Sequence, residues 1–245
     1  MVPVKFPILF ENGGLIAVDK PSGVLSHPNL SQKSSGGQKP RATPAIFKGN
    51  YDFEDRRFET SEGPVWLIHR LDKGTSGVIL AAREVSAARD VRKLFEEGKI
   101  KKEYIALILG RPFPLRGIWR DHILEKKRPD HVRSMIEPGR VVNAELKYSV
   151  VKTFSRDALS LVDIQLVTGK THQIRAQSSF RRSPVAGDEV YGNFSENRKL
   201  RKSIGLKRLF LHAHKLSFKH PKTGEMIEIT SPLPPDLTAV LDRAK

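Results

Sequence analysis

The sequence predicts an α+β fold with a mixed, mainly antiparallel central sheet and flanking helices. Three observations support this class. Apolar runs of strand length recur along the 245 residues, and residues typical of turns separate them. Helical spacing of apolar residues is confined to a few stretches. The chain has no internal repeat of solenoid period.

Strands are predicted in the order Leu9–Phe10, Leu15–Val18, Leu67–Ile68, Val78–Ala82, Tyr104–Leu109, Val141–Val151, Leu159–Val167, Leu209–Leu216 and Met226–Ile229. The 141–151 and 159–167 strands alternate well enough to pair with each other. An amphipathic helix is predicted over Ser86–Gly98, with Ser86 as its N-cap and Gly98 as its C-cap. A second helix is predicted from an N-cap at Thr171 to about Phe180.

The composition excludes several classes of protein. The chain has no cysteine, so disulfides and thiolate metal sites are excluded, and a reducing compartment is favoured. No apolar run approaches the roughly 18 residues of a membrane span, and the proline-broken start does not resemble a secretory signal. We therefore expect a soluble cytoplasmic protein.

Basic residues dominate the charge: 43 Lys and Arg stand against 27 Asp and Glu, for a net charge of +16. A chain this basic is typical of proteins that contact phosphate, in nucleic acid or at an anionic membrane surface. No basic amphipathic helix with bulky apolar anchors is present, which disfavours the membrane. Solubility alone is the ordinary alternative, although the basic clusters are interleaved with core-forming segments.

Asp72 lies in "LIHRLDKGTSGVILAA", residues 67–82, where a polar turn separates two apolar runs. The ordinary interpretation is a turn aspartate that caps backbone N–H groups. Its place after an apolar run, the neighbouring Arg70 and Lys73, and the hydroxyls of Thr75 and Ser76 favour a functional acid instead. A single ionised carboxylate on a rigid turn suits a nucleophile or an electrostatic stabiliser.

Two further stretches carry candidate functional groups. In "VTGKTHQIRAQ", residues 167–177, the predicted helix places His172 and Arg175 on one face. Arg175 suits either a solvated helix charge or a buried partner for Asp72. In "KIKKEYIALILG", residues 99–110, Tyr104 suits either a core tyrosine or a ring that stacks on a base beside a basic cluster.

Metal and nucleotide cofactor sites are not favoured. "LHAH" places His212 and His214 on one face of a strand, but the chain lacks cysteine and any H-E-x-x-H pattern. The glycine pairs at 13–14 and 36–37 match no phosphate-binding fingerprint.

Several of these stretches together resemble the RluA-type RNA pseudouridine synthases. "HRLDKGTSGVILAA" resembles the catalytic motif of that family, and "LIAVDKPSGVLSHP" (15–28) its N-terminal strand and turn. "KKEYIALILG" (101–110) resembles its tyrosine motif. "TGKTHQIRAQ" with "SPVAGDEVYG" (168–192) and "RLFLHAHKLSFKHPKTGE" (208–225) resemble its C-terminal motifs. The motifs occur in family order across about residues 9–230.

The resemblance implies conversion of uridine to pseudouridine in RNA, with no cofactor or metal, on a pseudouridine synthase fold with a central catalytic cleft. It implies that Asp72 is the catalytic aspartate, that Arg175 pairs with it, and that Tyr104 stacks on the target base. Leu211 would pack in the floor of the site. Base and RNA contacts are assigned to His69, Arg70, Thr75, His172, Leu211 and His212.

The chemistry of the implied reaction agrees with these residue types. Cleavage of the C–N glycosidic bond makes the ribose cation-like, so a fixed anion stabilises the transition state. The leaving uracil is itself a stable anion and is retained, so one carboxylate can suffice where glycosidases use two. Asp72 could attack the sugar or abstract a ribose proton, and the sequence does not choose. The buried uridine must be flipped out, and RNA affinity should fall with salt.

We expect one catalytic domain over residues 1–245 without an N-terminal S4 domain, acting as a monomer on transfer or ribosomal RNA and not on DNA or membranes. Residues 29–63 and 111–140 are the candidate RNA-contacting loops. A long insert before "RLFLHA" is similar to the TruC-like branch, which modifies transfer RNA. The alternative function is a non-catalytic RNA-binding module on the same fold.

Overall fold

A computed structural model describes residues 6–28, 44–127, 132–155 and 158–244. Its strands are β1 Ile8–Asn12, β2 Leu15–Lys20, β3 Asn50–Asp52, β4 Arg57–Thr60, β5 Gly63–Leu67, β6 Ser76–Ala82, β7 Lys101–Leu109, β8 Arg116–Asp121, β9 Ile123–Lys127, β10 Val132–Ile136, β11 Ala144–Phe154, β12 Leu159–Leu166, β13 Leu211–Lys219 and β14 Met226–Thr230. Its helices are α1 Val85–Glu96, α2 Gln173–Phe180, α3 Phe194–Ser203 and α4 Pro235–Arg243. The α+β class and the mainly antiparallel pairing are therefore confirmed.

The chain divides into two compact units. Unit 1 comprises residues 1–100 and 215–231, and unit 2 comprises residues 101–214 and 232–245. In unit 1, β1 pairs with β2, β2 with β6, β6 with β5, β5 with β4 and β4 with β3, all antiparallel. β14 pairs antiparallel with the half of β13 that belongs to this unit.

Strand β6 forms the centre of unit 1. Each of its seven residues, "SGVILAA", is buried, as expected of a strand covered on both faces. Helix α1 covers one face, where Ala87, Ala88 and Val91 pack into a cluster that includes Val78 and Leu80. On the other face Ile79 packs with Phe58 and residues of β2 and β5.

Unit 2 is an antiparallel sheet in the order β7, β12, β11, β8, accompanied by a β9–β10 hairpin. One apolar cluster joins Ala106, Ile164 and Trp119 of the sheet to Ile174 of α2. A second joins Leu107 and Leu159 to Leu200 of α3 and Leu237 of α4. Helix α2 is thus fixed against the sheet by burial of its apolar residues.

Both predicted N-caps are wrong. Helix α1 begins at Val85, two residues earlier than an N-cap at Ser86 would allow, and Glu84 is its N-cap. Helix α2 follows His172, which occupies a left-handed conformation (φ 52°), and not Thr171. The backbone groups of Thr171 serve the β9–β10 hairpin instead: its N–H donates to Glu125 and its carbonyl accepts from Ser134. His172 and Arg175 therefore do not share a helical face.

The two segments predicted as loops are partly regular structure. Residues 29–43 and 128–131 lie outside the described residues, whereas residues 44–63 contain β3 and β4 and residues 111–140 contain β8, β9 and β10. Val132 and Ser134 are alternate residues of β10 in the β9–β10 hairpin. Basic side chains interrupt the apolar pattern of this hairpin. Among the described helices, none has the length and apolar character that crossing a membrane requires.

Candidate active site

Asp72 lies in the short connection between two strands of unit 1, β5 and β6. The connection spans residues 68–75, and the Asp72 side chain in it is half-buried. Within the connection, the Thr75 backbone N–H donates to the Asp72 carbonyl at 3.1 Å. At its start, the Ile68 N–H donates to the Leu80 carbonyl at 3.2 Å, which continues the pairing toward β6. Buried backbone on both sides therefore supports the acid.

Lys20 binds this connection from the neighbouring "KPSG" turn. Its side chain is 0% exposed, and its Nζ donates to the carbonyls of Pro21 at 3.0 Å, Val24 at 2.8 Å and Lys73 at 3.3 Å. Gly23, at φ 86°, donates its N–H to the Lys73 carbonyl at 2.8 Å. A buried ammonium requires such acceptors, and here they tie the turn to the residue after Asp72.

Ser22 of this turn and Ser26, three residues after it, complete the attachment. Ser26 Oγ donates to the Leu71 carbonyl at 2.8 Å and accepts from the Leu71 N–H at 2.9 Å. Ser22 Oγ donates to the Gly74 carbonyl at 2.8 Å. The backbone is thus bonded immediately before and after Asp72, which restricts where its carboxylate can lie.

The other predicted residues of this loop have distinct environments. His69 Nε2 accepts from the Leu80 N–H at 3.0 Å, and its ring stacks on Phe95 with centroids 5.0 Å apart. Arg70 is exposed, and its Nη1 donates to His27 Nε2 at 2.9 Å. Thr75 is buried. His69 and Thr75 therefore support the loop, whereas Arg70 presents a guanidinium at the surface.

In unit 2, Arg175 on α2 forms a bidentate ion pair with Asp188. Its Nε donates to Oδ2 at 2.7 Å and its Nη2 to Oδ1 at 2.9 Å. Asp188 is 1% exposed, and burial alone would raise the pKa of its carboxyl. The hydrogen bonds and charge of Arg175, with the N–H groups of Val190 and Tyr191, outweigh burial and lower that pKa below 3.8.

Tyr191 covers this ion pair and joins it to the β9–β10 hairpin. The Arg175 Cζ lies 5.0 Å from the centre of the Tyr191 ring. The Tyr191 hydroxyl accepts from the Ser134 N–H at 2.7 Å and lies 3.0 Å from His172 Nδ1. Burial raises the pKa of Tyr191 above its usual 10.0. A neutral phenol and a paired carboxylate thus hold the guanidinium.

Tyr104, Leu211 and α2 meet around one apolar cluster of unit 2. Leu211 is buried in the cluster with Ile174, the neighbour of Arg175 on α2, and the half-buried Tyr104 packs against it. In the sheet, Tyr104 of β7 lies opposite Ile164 of β12. His212, next along β13, is fully buried, with its ring 6.2 Å from that of His214.

The structure therefore places the predicted residues in two sets. His69, Arg70, Asp72 and Thr75 belong to unit 1, and Tyr104, His172, Arg175, Leu211 and His212 to unit 2. The pairing of Asp72 with Arg175 and the stacking role of Tyr104 stay predictions. In the part of the chain that the structure describes, no cluster of three or more His, Asp and Glu side chains suits a metal ion.

Sequence reasoning missed four residues that fix the two sets: Lys20, Ser26, Asp188 and Tyr191. All four lie in motifs that the resemblance drew on, "DKPSGVLS" and "GDEVYG", but no role was assigned to them. A lysine directly between a buried strand and a Pro-Ser-Gly turn is a usable signal, since a flexible exposed lysine has no reason to end a buried strand.

Proteins of similar sequence are named as RNA pseudouridine synthases. Residues 14–180 match the family model described as RNA pseudouridylate synthase. Ribosomal large subunit pseudouridine synthase C of Pasteurella multocida is 33% identical over 241 residues, which cover 96% of this chain and 66% of that protein. An uncharacterized RNA pseudouridine synthase of Mycobacterium bovis is 33% identical over 234 residues, covering 96% and 71%. The chain therefore spans about two thirds of the length of these relatives.

A solved structure shows the same fold. The human protein named RNA Pseudouridylate Synthase Domain Containing 1 superposes on this chain with a TM-score of 0.70 at 24% sequence identity. The match covers 97% of this chain and 88% of that one. At this identity the likeness concerns the fold alone. The family match and the two relatives extend further, and on that basis the chain belongs to the RNA pseudouridylate synthase family, whose members are isomerases that act on uridine in RNA.

Proposed function

We propose that this chain isomerises a specific uridine in RNA, with Asp72, Arg175 and Tyr104 as its catalytic residues. The observation that carries the proposal is the attachment of the Asp72 loop, whose backbone is bonded at Leu71, Lys73 and Gly74. Catalysis by a single carboxylate requires that the group be held where charge develops on the sugar. A solvated turn aspartate has no need of a buried lysine and two serines.

Asp72 acts on the ribose of the target nucleotide. As the C–N bond breaks, positive charge develops at C1′, and the carboxylate stabilises it or adds to the sugar. The uracil rotates in place, its C5 bonds to C1′, and the C5 proton is released. Atoms balance within the nucleotide, because one C–N bond is lost and one C–C bond is gained while the proton at C5 moves to nitrogen through solvent.

Arg175 keeps Asp72 ionised in this proposal. Asp188 accepts from Nε and Nη2 of the guanidinium, so Arg175 is held as a cation within unit 2. A cation within hydrogen-bonding distance favours the charged form of a carboxyl group. Because Asp188 and Tyr191 hold the guanidinium, residues of unit 2 itself fix its position.

Tyr104 receives the flipped base. Its ring packs against the cluster that contains Leu211, so one face of the ring is supported by the core of unit 2. A supported aromatic ring can stack on any base with little loss of side-chain entropy. Leu211 forms the floor beneath it, and His172 and His212 complete the base-binding group.

The substrate that we propose to test first is ribosomal RNA, because the Pasteurella multocida relative is named as a ribosomal large subunit enzyme. Transfer RNA is the alternative that the insert before Arg208 favours. Residues 29–63 and 111–140 are proposed to select the RNA, and we place the protein in the cytoplasm as a monomer. The net charge of +16 supports RNA as the partner.

The test replaces Asp72 by Asn, which keeps the size of the side chain and removes its charge. Pseudouridine mapping of RNA from cells with and without the protein identifies the site, and RNA labelled with tritium at uracil C5 then reports turnover as released tritium. We expect Asp72→Asn to lose at least about a thousandfold in rate and to retain RNA binding. Asp90→Asn, on α1 of the same unit, is the matched control and should keep full activity.

The outcomes separate the two functions. Full turnover by Asp72→Asn on its mapped RNA would refute the catalytic assignment. If no pseudouridine is lost from any RNA when the protein is absent, the chain is a non-catalytic RNA-binding module. Arg175→Lys, which keeps the charge but not the planar fork, should lower the rate while the protein stays folded.

A further inference from the structure

A cluster of aromatic and arginine side chains lies on unit 1 beside the Asp72 loop and is not used by the mechanism above. Its aromatic members are His27, Tyr51 and Phe53, and its cationic members are Arg56, Arg70 and Arg92. We call it the aromatic–arginine patch. It joins the "SHP" segment, the turn between β3 and β4, the Asp72 loop and helix α1.

The three rings form one packed group. His27 stacks on Tyr51 with centroids 5.2 Å apart and planes 11° apart. Phe53 meets both edge-on, at 5.8 Å from His27 and 4.9 Å from Tyr51. Tyr51 in turn packs on Phe58, which is fully buried in the core of unit 1. The group is therefore anchored from below, while Phe53 at its outer edge is 39% exposed.

The turn that carries Phe53 is itself well ordered by local bonds. Asp52 Oδ1 accepts from the N–H groups of Glu54 at 2.9 Å and Asp55 at 3.2 Å. Arg56 then takes a left-handed conformation with φ 54°. An exposed phenylalanine on a bonded turn presents apolar surface at little entropic cost on binding.

The arginines are held by neutral groups. Arg70 Nη1 donates to His27 Nε2, and Arg92 Nη2 donates to the carbonyls of Asp55 at 3.1 Å and Leu67 at 2.8 Å. A guanidinium is only a donor, so His27 Nε2 accepts and Nδ1 carries the proton donated to the Pro28 carbonyl at 2.8 Å. Among the described residues, neither arginine is paired with a carboxylate, so their charge remains available to an anion.

The titration of the rings agrees with an uncharged stacking surface. Burial lowers the pKa of His27 below 6.5, and the charges of Arg70 and Arg56 lower it further. Burial raises the pKa of Tyr51 above 10.0. Both rings are therefore uncharged near neutral pH. Asp52 and Asp55 are acidic neighbours of the patch, so the arginines must outweigh them to attract a phosphate.

We propose that the aromatic–arginine patch binds an unpaired nucleotide next to the target uridine, with its base on Phe53 and its phosphate at Arg56 and Arg70. An exposed ring beside unpaired arginines suits a base face and a phosphate together, whereas a protein or lipid partner would need a larger apolar area. Arg70 lies two residues before Asp72, so the bound nucleotide must be a close neighbour of the reacting one. The inference rests on the proposed function, because it takes RNA as the substrate.

The test uses binding, which does not require turnover. The probe is a short single-stranded RNA that carries 2-aminopurine beside a uridine, and stacking on an aromatic ring quenches its fluorescence. We expect Phe53→Ala and Phe53→Leu each to weaken binding about tenfold and to relieve the quenching, and Phe53→Trp to restore both. Phe53→Leu keeps apolar packing at the turn, so weaker binding by this variant would report lost stacking and not lost folding.

Phe194→Ala is the matched control, since Phe194 is 74% exposed and lies 5.1 Å from the Arg198 guanidinium in unit 2. It should bind the probe like the unchanged protein. Arg56→Ala should reduce the slope of log affinity against log salt by roughly 0.7, the value for one phosphate contact on a single strand. Inorganic polyphosphate tests whether the patch recognises charge alone. If it does, polyphosphate should compete with the probe equally well for the unchanged protein and for Phe53→Leu.

Equal binding by Phe53→Leu and Phe194→Ala, or equal binding of the probe in its duplex form, would overturn the proposal. The proposed function fails independently of this result. If Asp72→Asn proves fully active while Phe53 variants lose binding, the patch stands and the catalytic assignment does not. In the turnover assay, Phe53→Leu should raise KM and leave kcat within about twofold, since stacking on a neighbouring base is uniform binding.

Discussion

The loop that carries Asp72 and the helix that carries Arg175 are fixed by different interactions. In unit 1 the loop is held through its backbone: Lys20, Ser22 and Ser26 bond to carbonyls and one N–H of residues 71–74. In unit 2 the guanidinium of Arg175 is held through its own side chain, by the buried carboxylate of Asp188. One group is positioned by attachment of its main chain, and the other by an opposite charge.

The difference shows two ways in which a fold can fix a polar side chain. Bonds to the backbone of a loop restrict where its side chains can lie without using the side chains themselves. A guanidinium is charged at every relevant pH, so Arg175 can donate two of its N–H groups to Asp188 and remain a cation. In the proposed mechanism, the ion pair thus holds Arg175 and neutral hydrogen bonds hold the loop of Asp72.

The largest effect expected is in unit 2, from Asp188→Asn. The change removes the negative charge that Asp188 places beside the buried Arg175, so the free energy of unfolding should fall by about 3–5 kcal/mol. Urea unfolding followed by circular dichroism measures it. Asp236→Asn is the control, because its carboxylate pairs with Arg208 at the surface and should contribute at most about 1 kcal/mol. Equal losses of unfolding free energy in the two variants would show that the buried ion pair stabilises the fold no more than the surface pair does.

The sequence predicted α1, α2 and the strands with continuous apolar runs, but it missed β3, β4, β8, β9, β10, α3 and α4. Strands β6 and β7 are marked by continuous apolar runs, and α1 by its apolar face. Helices α3 and α4 each bury few apolar side chains, Leu200 in α3 and Leu237 and Val240 in α4. Such short helices depend on tertiary packing, and their apolar residues are too few to show a helical period in the sequence.

At the candidate site, the sequence predicted catalytic residues but not the residues that hold them. Asp72 and Arg175 lie in motifs that are recognisable along the chain. Asp188 forms a contact that no local pattern specifies, because any of many cations could meet a given acid. Lys20 is buried against the general tendency of lysine, and the three carbonyls that accept from its Nζ stabilise it there.

In unit 1 the largest effect should come from Lys20→Met. Methionine fills a similar volume but removes the donor shared by the carbonyls of Pro21, Val24 and Lys73. We expect a loss of about 2–3 kcal/mol in the free energy of unfolding, the range for hydrogen bonds to charged groups. Lys48→Met, at an exposed position, should change it by less than about 0.5 kcal/mol. A stable Lys20→Met protein would show that backbone attachment does not hold the loop.

Ser26→Ala tests the same attachment with a smaller change. It removes one hydroxyl that both donates to and accepts from Leu71, so a loss of about 1–2 kcal/mol is expected. The rate of tritium release should fall more than RNA affinity does, because the loop next to Asp72 loosens. Ser195→Ala, in which the side chain lies on the exposed start of α3, serves as the control. An unchanged rate with reduced stability would separate loop rigidity from catalysis.

The smallest effect is a pH dependence confined to unit 2. The pKa of Asp188 is lowered in the folded protein, so its contribution to stability is complete above its unfolded value of about 3.8 and is lost as pH falls through the folded pKa. Protonation leaves the carboxyl oxygens in place to accept from Arg175, so it costs less than substitution. Unfolding measured between about pH 5 and pH 2 should therefore be steeper in the unchanged protein than in Asp188→Asn. Ser26→Ala should retain the full steepness, because the Ser26–Leu71 bonds involve no titrating group; parallel curves for all three proteins would mean that the ion pair does not hold α2.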